Sequence, residues 1–216
     1  MTRVTLNGKA FQLSGNLPVI GAIAFNFVLV ATDLSDMRLS DLAGKRVIMN
    51  VFPSVDTLVC AKSVRRFNEI ANELDNTKVL CISKDLPFTH DRFNKNEGID
   101  NVTSLSEFRN NDFGQAYGVR IKDGPFRGLF ARTVVALDER HRVIYTQLVP
   151  EIGQEPDYDA VMHAMKSTPV CTVSESTEYP PTESGVDEIP EKKSRKERDR
   201  LLDISDTCDG DRSGKS

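Results

Sequence analysis

The stretch from Arg46 to Ser83 restricts the possible folds of this chain more than any other. "RVIMNVF" (Arg46–Phe52) is apolar on both alternations, as a strand buried on both faces must be. "CAKSVRRFNEIANELD" then spaces Val64, Phe67, Ile70, Ala71 and Leu74 three or four residues apart with charges between them, the period of an amphipathic helix. "KVLCIS" (Lys78–Ser83) reads as a second buried strand after the turn Asp75-Asn76-Thr77. Strand, helix and strand over roughly 38 residues make a βαβ unit, whose two strands must run parallel with a right-handed crossover.

The flanking segments extend this unit. "TRVTLNGKAFQ" alternates around Asn7-Gly8, a dipeptide suited to a tight turn of positive φ, and predicts an N-terminal β-hairpin. "FVLVATDL" (Phe27–Leu34) is a strand, and "DLAGKR" turns a short helical piece into the strand at Arg46. After Ser83 come a helical piece in "PFTHDRFNKN", a short strand "NVTSL" and a second helical piece "NDFGQAYG". "ARTVVALD" and "RVIYTQLV" alternate around "ERH" as an antiparallel hairpin, and "PDYDAVMHAMK" closes the domain as a helix. A βαβ half joined to a ββα half gives an α/β fold on the thioredoxin-like plan, a central mixed sheet flanked by helices, over residues 1–167.

From 168 to 216 the chain is rich in Ser, Thr, Glu, Asp and Pro and poor in large apolar residues, so it cannot offset its ordering entropy by burial. A disordered C-terminal extension is expected, with a transient helix around Glu188–Leu202. Its basic cluster, Lys192 to Arg200, is interleaved with acids and reads as solvated. A net charge of −4 argues against a nucleic-acid partner. "LPVIGAIAFNFVLVA" (Leu17–Ala31) is too short and too interrupted to span a membrane, lacks the flanks of a secretory signal, and is expected to be a buried loop and strand. The four cysteines form no CxxC pair, and His90, His141 and His163 stand too far apart to ligate zinc, so neither a disulfide scaffold nor a metal is expected and the cytoplasm is the default compartment.

Cys60 stands in the first turn of the expected helix, where unpaired amides and the helix dipole favour an anion. Reactive thiolates recur at such positions, although most free cysteines are buried small hydrophobes. "PSVDTLVC" has the form Pro, three residues, Thr, two residues, Cys, which resembles the peroxidatic signature of the peroxiredoxins. The resemblance is to their thiol peroxidase branch, the atypical two-cysteine type, and runs from about residue 2 to 166 through "SEFRNNDFGQAYGV", "FARTVV" and "EPDYDAVMHAMK". It implies a cofactor-free peroxidase acting on hydrogen peroxide and organic hydroperoxides. Cys60 would attack the peroxide, Thr57 would hydrogen-bond the thiolate and the peroxide, Pro53 would shield the pocket and Arg132 would hold both charges. Thioredoxin or another thiol as reductant and a homodimeric state are implied likewise.

The chain departs from that family at one place. The family's resolving cysteine lies on the helix after "ISKDLPF", and there this sequence has Asn94. An external thiol is therefore the favoured reductant of oxidised Cys60, ahead of Cys171 and Cys208. Cys171 follows the last helix by about five residues, a reach of about 17 Å. Cys208 hangs on about 42 residues with a root-mean-square span of about 36 Å, and its aspartate neighbours slow its attack. Cys81, within a buried strand, is the weakest candidate. Two rival readings remain at this stage: a thiol-disulfide oxidoreductase, which "CAKS" disfavours by putting Ser63 where a second cysteine is needed, and a peroxide-sensing adaptor acting through the extension.

Overall fold

A computed structural model describes residues 2–169 and Tyr179, and in it nine strands form two sheets. Strands β1 (Arg3–Leu6) and β2 (Lys9–Gln12) pair antiparallel as the expected hairpin. Asn7 and Gly8 at its tip have φ of +50° and +77°, the two positive values that a type I′ turn requires.

The second sheet holds β3 (Val28–Ala31), β4 (Asp36–Arg38), β5 (Arg46–Val51), β6 (Thr77–Ser83), β7 (Val102–Ser106), β8 (Thr133–Leu137) and β9 (Val143–Leu148), in the spatial order β4-β3-β7-β6-β5-β8-β9. β5 and β6 are parallel, with α1 (Leu58–Ala71) as their crossover, and β5 pairs antiparallel with β8 on its other side. Helices α2 (Pro87–Glu97), α3 (Asp112–Ala116) and α4 (Tyr158–Ser167) complete the domain. The thioredoxin-like plan is the one observed.

Alternation along the central strands feeds two cores, one on each face of the sheet. Val47, Met49 and Val51 of β5 join Leu80, Ile82, Val135 and Leu137 in a core closed by Phe27, Phe113, Tyr117 and Phe130. Ile48 and Phe52 point the other way, with Val79, Cys81, Val134 and Ala136, and are covered by Val64, Phe67 and Ile70 of α1 and by Val161 and Met165 of α4. A smaller third core lies under the hairpin, where Val4, Phe11 and Leu13 pack on Ile121, Ala131 and Ile152.

Several details differ from expectation. α1 begins at Leu58, two residues earlier than the apolar period suggested, because Thr57 takes the extended conformation of an N-cap and winds the helix from there. It ends at Ala71, and Leu74 packs from the turn that follows. β4 has no sequence signal, because three residues, one exposed and two half-buried, carry no period. The run from Leu17 to Ala31 is buried only in part: Val19 and Ile20 are exposed where Pro18 and Gly21, at φ +88°, turn the chain outward. The readings made for Cys171, Cys208 and the extension from 168 onward fall, apart from Thr168, Pro169 and Tyr179, outside the described residues. No helix among the described residues is long and apolar enough to cross a membrane.

Candidate active site

Where β5 ends, the chain leaves the sheet through buried Phe52 and Pro53 and turns into α1. The turn is fastened to the neighbouring strand: the Phe52 amide donates to the Ile82 carbonyl (3.1 Å), and the Val55 amide donates to Asp85 Oδ2 (2.7 Å). Asp85 Oδ2 also accepts from the Ser83 hydroxyl (2.8 Å). With Thr57 as N-cap, Cys60 is the third residue of α1, and it is 0% exposed. The Thr57 hydroxyl caps nothing; it donates to the Ser54 carbonyl (3.1 Å) rather than to the Cys60 sulfur as expected. The amides of the first helical turn are therefore left without a side-chain cap at the positive end of the helix dipole.

β8 supplies the opposing group. Arg132, immediately before that strand, is 1% exposed, and its Nη2 lies 3.3 Å from Cys60 Sγ. Both Nε (3.4 Å) and Nη2 (3.3 Å) donate to the Ile152 carbonyl. Nη1 has no hydrogen-bond partner among the described residues. A buried guanidinium that touches the sulfur with one nitrogen and keeps another donor unused can bind a second electronegative atom beside the sulfur. Of the sequence-predicted residues, Cys60 and Arg132 are in contact; Pro53 is buried in the turn that leads into α1, and Thr57 is exposed.

Other candidates are set apart from this pair. Cys81 is enclosed in β6, where burial pushes its thiol up to about 12, against a weaker opposing contact from Asn50. A thiol so reluctant to ionise is a poor attacking group. Asn94 sits on α2 with its amide exchanging hydrogen bonds with the Ser104 hydroxyl of β7 (3.1 and 3.2 Å). No cluster of three metal-binding side chains occurs among the described residues.

Two features of the site had no clear signal in the sequence. His90, read from the sequence only as no zinc ligand, is buried against Phe52, with Nε2 at 2.9 Å from the Ser83 hydroxyl and Nδ1 unpartnered among the described residues. Burial lowers its pKa, although Asp85 and Asp56 act in the opposite direction. Its place four residues into α2, on the side facing Phe52, was the only available hint. The Ile152 carbonyl could not be found from residue type, because a backbone oxygen carries none.

The redoxin family profile matches residues 17–162. A thiol peroxidase of Corynebacterium glutamicum is 49% identical over 165 residues, which take in 76% of this chain and 99% of that protein. Among solved structures, a peroxiredoxin-like protein from Aquifex aeolicus superposes with a TM-score of 0.73 at 37% identity, over 77% of this chain and 96% of its own. The thiol peroxidase from Chromobacterium violaceum superposes with a TM-score of 0.72 over the same shares at 22% identity, a likeness of fold. Neither rival reading finds support among these relatives. A family match through both halves of the sheet, with near half-identity to a thiol peroxidase of the same domain length, leads to one conclusion: the chain belongs to the redoxin family and is a thiol-dependent peroxidase of the peroxiredoxin type.

Proposed function

We propose that Cys60 is the peroxidatic nucleophile and that Arg132, Thr57 and Pro53 serve it. The Cys60 thiolate attacks one peroxide oxygen, the O–O bond breaks, and the departing oxygen takes up a proton to leave as water or, from an organic hydroperoxide, as an alcohol. The sulfur becomes sulfenic acid. The observation that carries this reading is the 3.3 Å contact from Arg132 Nη2 to the sulfur, with Nη1 left to donate to the peroxide.

Ionising the thiol is not enough. An ordinary cysteine is about 3% thiolate at neutral pH, so complete ionisation gains about 30-fold, against the factor of at least about a million that enzymes commonly supply. Oriented donors that stabilise the charge spread over S, O and O supply the greater share. Thr57 joins them by rotating its hydroxyl from Ser54 toward the incoming oxygen, and Pro53 keeps water from the sulfur.

Reduction of the sulfenic acid falls to an external thiol, thioredoxin or a small thiol, which forms a mixed disulfide with Cys60 with release of water; a second external thiol then attacks the outer sulfur, forming a disulfide between the two reductant thiols and releasing Cys60 as its thiolate. What supports this is Asn94 in the position where the resemblance puts a resolving thiol, together with the inertness of Cys81. A cytoplasmic setting suits two buried, unpaired cysteines. A homodimer is proposed through the exposed Leu58, Leu86 and Phe88, which lie on segments held together by the Val55–Asp85 and Arg92–Asp56 contacts. Sedimentation of L58E should show a monomer where the wild type is a dimer.

Peroxide consumption with thioredoxin, glutathione or dithiothreitol as reductant tests the central reading. C60S should abolish turnover, and mass spectrometry after one equivalent of peroxide should find one added oxygen on Cys60. A C60S protein that still consumes peroxide would refute it.

A further inference from the structure

Arg132 is useful only if its plane is held in place, since a catalytic group displaced by about 1 Å can cost a hundredfold in rate. The oxygen that holds it is the Ile152 carbonyl, which belongs to an irregular turn beyond β9 and not to the sheet. The fastening of that turn comes from the N-terminal hairpin. The Thr5 amide donates to the Pro150 carbonyl (2.7 Å), and the Ile152 amide donates to the Thr5 carbonyl (2.8 Å), a short parallel bridge between β1 and the turn. Between them, the Glu151 carboxylate accepts from the Thr5 hydroxyl (2.8 Å) and from the Asn7 amide at the hairpin tip (3.1 Å). Beneath these contacts, Val4, Phe11 and Leu13 pack on Ile152 and on Ala131, the residue next to Arg132.

We infer that the N-terminal hairpin is a brace for the Arg132 guanidinium, and that Glu151 is the positioning residue that fastens the brace to the turn. Glu151 touches neither sulfur nor peroxide; it acts through Ile152. The Thr5 hydroxyl, helped by the amides of Asn7, Gly153 and Gly8, holds the Glu151 carboxyl below the usual carboxylate range despite some desolvation, as expected of a carboxylate used as a fixed acceptor. The hairpin then explains why residues far from Cys60 in sequence belong to the same catalytic unit. The inference rests on the assignment of Cys60 and Arg132 above.

The test is the second-order rate constant of Cys60 with hydrogen peroxide in E151Q, T5V and T5S, set beside the alkylation rate of Cys60 by iodoacetamide. E151Q and T5V should lower the peroxide rate between about tenfold and a hundredfold. Alkylation, which needs no guanidinium over a leaving oxygen, should stay within about twofold, and T5S, which keeps the hydroxyl, should restore the peroxide rate. In an R132K background E151Q should add less than about twofold, because its effect passes through Arg132. Peroxide rates that stay at the wild-type value in folded E151Q and T5V would overturn the brace. So would a parallel fall of peroxide and alkylation rates, or a full additive effect in the R132K background. Should E151Q fail to melt cooperatively, T5V against T5S decides alone. A C60S protein that consumes peroxide would instead remove the underlying site assignment, whatever the Glu151 variants do.

Discussion

A single nitrogen-to-sulfur distance organises the proposed chemistry. Arg132 lies 3.3 Å from Cys60 with one donor unused, so lysine in its place loses the planar fork that can serve sulfur and peroxide together. R132K should slow the reaction with peroxide about a hundredfold or more, in line with the loss of an oriented donor to a developing charge, and stopped-flow peroxide kinetics would measure it. Cys60, Pro53 and Arg132 could be proposed from the sequence because a thiol at a helix start, a rigid turn and a guanidinium are chemical types that a sequence states outright, and the structure brings Cys60 and Arg132 into contact. Glu151, Ile152 and the burial of His90 were not legible, for a physical reason. Each matters through what its carboxylate, backbone or ring meets in space, and those meetings join Thr5 to Glu151 and Phe52 to His90 across separate elements. Thr57 is a different case: its residue type suggested a donor to the sulfur, but its hydroxyl rests on the Ser54 carbonyl.

Among the elements, the βαβ unit could be read from its periods, since β5 buries all six of its residues and α1 presents one apolar face to them. Helix ends were harder, because caps depend on single dihedral angles rather than on a pattern. Gly98 is an instance: it closes α2 at φ +63°, and its amide donates to the Asn94 carbonyl. A Cβ there would meet nothing within 4 Å, so the only cost of a side chain is the left-handed backbone. G98A should destabilise the fold by about 1 kcal/mol, lowering Tm by about 2–4 °C and leaving the peroxide rate unchanged. A calorimetric scan would read the first, and an unaltered rate would show that the end of α2 bearing Asn94 does not shape the peroxide site. β4 lies at the opposite limit, too short and too exposed for any period to announce it.

For the molecule as a whole, stability should depend on pH through two buried imidazoles. Desolvation lowers the pKa of His90, and of His141 as well, below the value of about 6.5 that each regains on unfolding. The unfolded chain then binds protons that the folded one refuses. Stability is complete above about pH 6.5 and falls as pH drops below it. Urea unfolding midpoints should decline from pH 7 to pH 5, and H90Q should decline less steeply; an equal slope would show that His90 contributes nothing. The same packing bears on the proposed catalytic cycle. A sulfur with no exposed surface cannot be handed to a protein reductant while the first turn of α1 stays wound, and the hydrogen bond that closes this turn runs from the Ala61 amide to the Thr57 carbonyl (2.9 Å). Turnover with a bulky reductant should therefore level off at a ceiling set by fraying of that turn, and deuterium uptake at the Ala61 amide should run at the same tempo. The enzyme would then work with two clocks, a fast one for meeting oxidant and a slower one for being restored, with the slower one running at the pace at which a few residues of helix unwind.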